Sequence, residues 1–159
     1  MTPSETLLQK LSEWRPAGEG RHVLSTTHEA SGWTMTVAAD QVESTGVRVW
    51  ETTLRRGQSA PADLTLFAWA REIATRATGL LESLAVHEVD VTRNEALLRS
   101  KEPNRRGGQT SYYEVLLQGV GAVTLRRYQA IEAAPHRKQT AYALTLDSLG
   151  KLVDDLTAV

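Results

Sequence analysis

The hydrophobic period changes at residues 16–20, and that change limits the folds open to the chain. Before Pro16, Leu7, Leu8, Leu11 and Trp14 recur at helical spacing. They follow a capping signal in which Thr2, Pro3 and Glu5 take the N-cap, first and third helical positions. Beyond Gly18 and Gly20 the pattern alternates, which predicts strands over 21–29, 32–39 and 45–55 with Ala30-Ser31-Gly32 as the first turn. Pro61 is read as opening a second, longer helix whose stripe of Leu66, Ala70, Ile73, Ala77, Leu80, Leu81 and Leu84 lies across a sheet. Alternation then returns over 85–92, 94–99, 111–118, 121–132 and 138–145, with Gln118-Gly119-Val120-Gly121 as a hairpin turn. Thr145 caps a closing helix over 146–158, along which Leu146, Leu149, Leu152, Val153 and Leu156 recur. The expected class is α+β, an antiparallel sheet packed by helices in the order α-βββ-α-ββββ-α, with residues 1–159 as one domain.

Two short strings occur twice in the same relative order. Leu7-Leu8-Gln9-Lys10-Leu11 matches Leu80-Leu81-Glu82-Ser83-Leu84, and Thr53-Leu54-Arg55-Arg56-Gly57-Gln58 matches Thr124-Leu125-Arg126-Arg127-Tyr128-Gln129. Both offsets are about seventy residues, as a duplicated αβββ unit would give. The units would cover roughly 1–60 and 61–145, with the helix over 146–158 appended and a pseudo-two-fold relating the TLRRxQ strands.

Composition narrows the classes of function. With 159 residues, 41% of them hydrophobic and 23% charged, the chain can bury a core and is neither disordered nor a membrane protein by composition. A formal net charge of −1 supplies no bulk attraction to nucleic acid or to an anionic bilayer. The absence of cysteine removes disulfides, thiolate ligands and cysteine nucleophiles. No signal-peptide pattern and no apolar run of membrane-spanning length is present, so the expected setting is cytoplasmic and off the membrane.

The residues that carry chemistry elsewhere are not arranged for it here. A strand-to-helix serine elbow is missing, and Gly119-Val120-Gly121 leads from strand to strand rather than into a phosphate-binding helix. His22, His28, His87 and His136 lack metal-ligand spacing, and Asp154 and Asp155, adjacent on a helix, point in different directions. The expectation is therefore no catalytic residue, no metal and no cofactor.

Charge is uneven along the chain. Residues 91–140 hold nine Lys and Arg against four Glu, with Tyr112, Tyr113 and Tyr128 among them. Cations interleaved with aromatics suit single-stranded nucleic acid, which makes Arg105, Arg106, Arg126 and Arg127 the candidate contacts. The segment from Lys101 to Gln109, with one proline, two glycines and no apolar anchor, is expected to be a mobile loop. Trp69 falls at the margin of the second helix's stripe, where it is either a core-edge filler or a protein-interaction anchor.

The order of elements resembles that of small α+β adaptor domains such as the type III secretion chaperones. That resemblance implies a non-catalytic, chaperone-like domain that binds a protein partner and forms a homodimer. Two other expectations stand beside it: a nucleic-acid-associated protein using residues 91–140, and a small-molecule binder with a pocket between sheet and helix.

Overall fold

The structure, a computed structural model, describes all 159 residues. Helix α1 (Pro3–Glu13) opens with a capping box, in which Glu5 N–H donates to Thr2 Oγ1 at 3.2 Å and Thr2 N–H donates to the Glu5 carboxylate at 2.8 Å. Strands β1 (His22–His28), β2 (Trp33–Val42) and β3 (Gly46–Arg56) follow as an antiparallel meander. After α2 (Leu66–Arg76) come β4 (Leu84–Asp90), β5 (Glu95–Ser100), β6 (Asn104–Arg106), β7 (Gln109–Gln118) and β8 (Ala122–Ile131). The short strands β9 (Lys138–Thr140) and β10 (Tyr142–Thr145) lead into α3 (Leu146–Thr157), which Thr145 caps through the Ser148 N–H. The class is α+β, in the order of helices and strands that the hydrophobic periods predict.

The main path through the sheet runs β1-β2-β3-β8-β7-β5-β4, antiparallel throughout. All three helices lie on one side of it, α1 over β1, α2 over β4 and β5, and α3 between them. Between the helices and the sheet lies one core of 28 buried hydrophobic residues, among them Leu7, Met35, Leu54, Ile73, Leu98, Leu125 and Leu152. The opposite face carries no helix. Past Thr52 and Leu125 the strands β3 and β8 diverge, and the chain fills the fork, entering on β9 along β8 and leaving on β10 along β3. At the apex Tyr142 is 4% exposed, and its hydroxyl lies 3.2 Å from Thr52 Oγ1. Burial holds its phenol well above the ordinary tyrosine pKa.

Three expectations change at this level. The second helix does not begin at Pro61, because Pro61–Leu64 forms a turn and Thr65 is the cap, accepting from Ala68 N–H at 3.1 Å. It also ends at Arg76, ahead of Thr78 and Gly79, so Leu80, Leu81 and Leu84 are not on it. Leu80 is buried from a bend and Leu84 from the first residue of β4, whereas Leu81 is fully exposed. The LLxxL match therefore joins a helix to a non-helical segment and marks no equivalent element. The segment from Lys101 to Gln109 contains a strand, β6, hairpinned onto β7 through Gly107 and Gly108 with φ of 58° and 74°. Both central residues of a type I′ turn need positive φ, which glycine adopts at no steric cost.

The TLRRxQ strings behave differently from LLxxL. Thr53 on β3 lies directly opposite Thr124 on β8, so the two strings cross the middle of the sheet antiparallel and adjacent. A local two-fold between these threonines relates Arg55 to Arg126 and Arg56 to Arg127. Arg55 and Arg126 rise from the helix-free face, whereas Arg56 and Arg127 turn toward the helices, as strand alternation requires.

Candidate functional site

The helix-free face is the one large surface that no element of the chain covers. Its centre is a row of charges across four neighbouring strands: Arg126 on β8 lies opposite Glu114 on β7, Glu114 opposite Arg99 on β5, and Glu51 on β3, one residue beyond the last β3–β8 pair, reaches Arg126 through its side chain. Arg126 Nε donates to Glu51 at 2.7 Å and Arg99 Nε donates to Glu114 at 3.0 Å. Arg137, from the loop between β8 and β9, closes over the row. Its Nη2 donates to Glu114 at 3.2 Å, its Nη1 bonds the same carboxylate and the Tyr112 hydroxyl, and its guanidinium lies 3.8 Å above the Tyr128 ring. The hydrogen bonds to Glu114 hold the Arg137 guanidinium above its ordinary pKa. Glu114, held between two arginines, is 8% exposed.

Paired hydroxyls and one tryptophan lie on the same face, beside exposed Arg55 and Val23. Ser25 and Thr36 pair across β1 and β2 at 3.1 Å, Thr27 and Thr34 at 2.9 Å, and Thr53 and Thr124 across β3 and β8 at 3.3 Å. At a β-bulge in β2 and β3, Trp50 donates its indole N–H to Asp40 at 2.8 Å while Arg21 lies 3.6 Å over its ring. The pleated backbone sets these β-branched and polar residues on one side because every second residue faces it.

The four candidate arginines do not form one surface. Arg126 is in the charge row, paired with Glu51. Arg127 faces the helices, 2.9 Å from Glu82 and 4.4 Å above the Tyr113 ring. Arg105 and Arg106 are exposed on β6 and have no ion-pair partner. Five of the nine cations of residues 91–140, namely Arg93, Arg99, Arg126, Arg127 and Arg137, are paired with carboxylates. Two of those carboxylates, Glu51 and Glu82, come from outside the segment, so a count along the chain overstates its free charge. The aromatic faces are also occupied, Tyr128 by Arg137 and Tyr112 by Arg99 at 5.4 Å.

Trp69 is not an interface anchor. At 1% exposure it belongs to the core, 6.5 Å from Trp33, and Arg56 lies over both rings at 5.2 and 4.5 Å. The stripe geometry placed it at a margin, but Arg56 comes down from the sheet to seal that margin. Burial lowers the pKa of this guanidinium.

The middle of the layer between sheet and helices is filled by core side chains. The largest cleft, about 580 Å³, lies at the rim between the end of α1, the β2–β3 turn and the start of α3, lined in part by Leu11, Trp14, Arg15 and Glu43. Its charged groups bond to their own neighbours, Arg15 to the Ser12 and Trp14 carbonyls and Glu43 to Gln41. No group of three or more potential metal ligands occurs. His28 bonds Ser31 and the Met1 carbonyl, and His87 lies 3.3 Å from Arg99. No helix is long and apolar enough to cross a membrane. No protein-family model, curated protein or solved structure matches the chain.

Pairwise counting missed the charge row. The signal that reveals it is the TLRRxQ repeat itself. Laying Thr53 opposite Thr124 brings Glu51 within side-chain reach of Arg126 just past the end of the pairing, and the β7 register adds Glu114 and Arg99 on the same face.

Proposed function

We propose that this chain is a non-catalytic, chaperone-like binding domain that presents its helix-free sheet face to a protein partner. The observation that carries the reading is the internally paired row Glu51–Arg126–Glu114–Arg99 with Arg137 upon it. A general base needs a carboxylate free to take a proton, and here Glu114 accepts from both Arg99 and Arg137 while Glu51 accepts from Arg126 and the Thr53 hydroxyl. A phosphate site needs cations without a carboxylate already on them. Beside the row lies a stretch of hydroxyls with no formal charge, Ser25, Thr27, Thr34 and Thr36. That stretch, and not the charge row, fits the core of a protein interface, from which charged residues are depleted.

Site-specific photo-crosslinking tests this reading in the cells that make the protein. A photoreactive residue replacing Arg55, exposed at the middle of the helix-free face, should yield a discrete adduct with another protein. The same residue replacing Arg71, exposed on the outer side of α2, should not. Equal adducts from both positions, or none from Arg55, would count against the face as the binding surface.

One observation favours a second reading. Lys101, Arg105, Arg106 and Lys138 are exposed and unpaired around β6 and β9, so a weak nucleic-acid contact at that end of the sheet is the alternative.

A further inference from the structure

The two edges of the sheet are built differently. On β4 a bulge interrupts the register at His87, Glu88 and Asp90 stand on the strand, and the Asp90 carboxylate accepts from Arg93 N–H at 3.0 Å. A bulge and edge charges are the usual devices that prevent a free edge from pairing. Strand β1 has neither. Its seven residues, His22–His28, run in unbroken register with β2 and include no proline, lysine, arginine or carboxylate. No strand pairs with its outer side, and Val23, Ser25 and Thr27 are exposed, Val23 at 64%. An unprotected edge of this length is a template for strand addition.

We propose that the strand added there is β1 of a second copy, antiparallel, with the two-fold axis at Ser25. The sequence of the edge is complementary to itself in that register. Ser25 meets Ser25, Leu24 meets Thr26, Val23 meets Thr27 and His22 meets His28, so no like charges or carboxylates oppose one another along the strand. One step outside the strand, Arg21 of each copy falls opposite Glu29 of the other. Both are exposed, and neither has an ion-pair partner within its own chain. Centring the axis on Leu24 or Thr26 instead loses this match, so the charges favour one register. The contact is isologous and closes as a dimer rather than a fibre. It extends the hydroxyl pairs Ser25–Thr36 and Thr27–Thr34 across the axis and joins two helix-free faces into one sheet. The inference goes beyond the proposed function, because the dimer stands or falls whatever binds the face.

Sedimentation of the full chain tests the proposal. The wild-type protein at about 100 µM should sediment as a dimer. Ser25→Lys sets two ammonium groups against each other on the axis and Ser25→Glu sets two carboxylates, so each variant alone should sediment as a monomer, its dimer weakened about 100-fold or more. A mixture of the two variants should recover the dimer, because lysine then faces glutamate. Ser25 is exposed, so circular dichroism should show all three chains folded alike. A wild-type monomer at that concentration, as expected if the edge receives a foreign strand instead, would overturn the proposal. So would a Ser25→Lys protein that still dimerises, or a mixture that does not pair.

Discussion

Replacing Trp69 with alanine is expected to cost about 3–5 kcal/mol of folding stability, the range for truncating a fully buried tryptophan. The indole is 1% exposed and packs beside Trp33, 6.5 Å away, with the Arg56 guanidinium over both rings, 5.2 Å from that of Trp69. Truncation opens a cavity and also removes half of the aromatic bed under Arg56, one of whose terminal nitrogens, Nη2, is buried without a hydrogen-bond partner. Since whole domains are stable by only about 5–15 kcal/mol, the variant should unfold at a much lower urea concentration than the wild type. A loss below about 1 kcal/mol would mean that the site collapses freely and that Trp69 is not the core residue described above.

Replacing Glu82 with alanine is expected to cost about 3 kcal/mol, because it leaves the Arg127 guanidinium buried without its counter-charge. The two groups are 2.9 Å apart, with only 13% of the Arg127 side chain and 15% of the Glu82 side chain exposed. Tyr113, 4.4 Å beneath the guanidinium, offers a π face but no carboxylate. The pair is itself imperfect, since Arg127 Nη1 and Glu82 Oε1 are buried with no hydrogen-bond partner. Removing both charges should therefore do far less harm. Glu82→Leu with Arg127→Met should return to within about 1 kcal/mol of the wild type in the same urea titration. Equal losses in the single and double variants would show that the cost lies in packing and not in an orphaned charge.

Periodicity and caps made most of the fold legible. Thr2 and Thr145 cap helices where their spacing predicts, and the alternating runs become strands whose ends shift by a residue or a few. The reading of α2 failed for a physical reason. Leu80 and Leu84 continue a helical stripe on paper, but burial selects only for apolar character, and the bend at Gly79–Glu82 and the start of β4 bury them equally well. The β6 hairpin was hidden because three exposed polar residues carry no alternation, and only the Gly107-Gly108 turn marks it.

The candidate site was half legible. Sequence reading places Arg126 among candidate nucleic-acid contacts, but its partner is not legible there, because Glu51 is 75 residues away and meets it only where β3 and β8 come together. Arg127 was grouped with Arg126 because they are neighbours in sequence, yet alternation sends them to opposite faces, one to Glu51 and the other to Glu82. Ion pairs between distant strands are set by register, and register becomes readable only where a landmark such as Thr53 opposite Thr124 fixes it.

The central claim is that Arg99, Arg126 and Arg137 are spent on Glu51 and Glu114 and that the helix-free face is directed at protein. Titration of a fluorescent poly(dT) single strand tests it most directly, at about 50 mM salt, where phosphate contacts are strongest. The predicted result is no saturable change in anisotropy up to about 100 µM protein. Saturable binding below about 10 µM, weakening steeply with added salt and abolished by replacing Arg99 and Arg126, would contradict it.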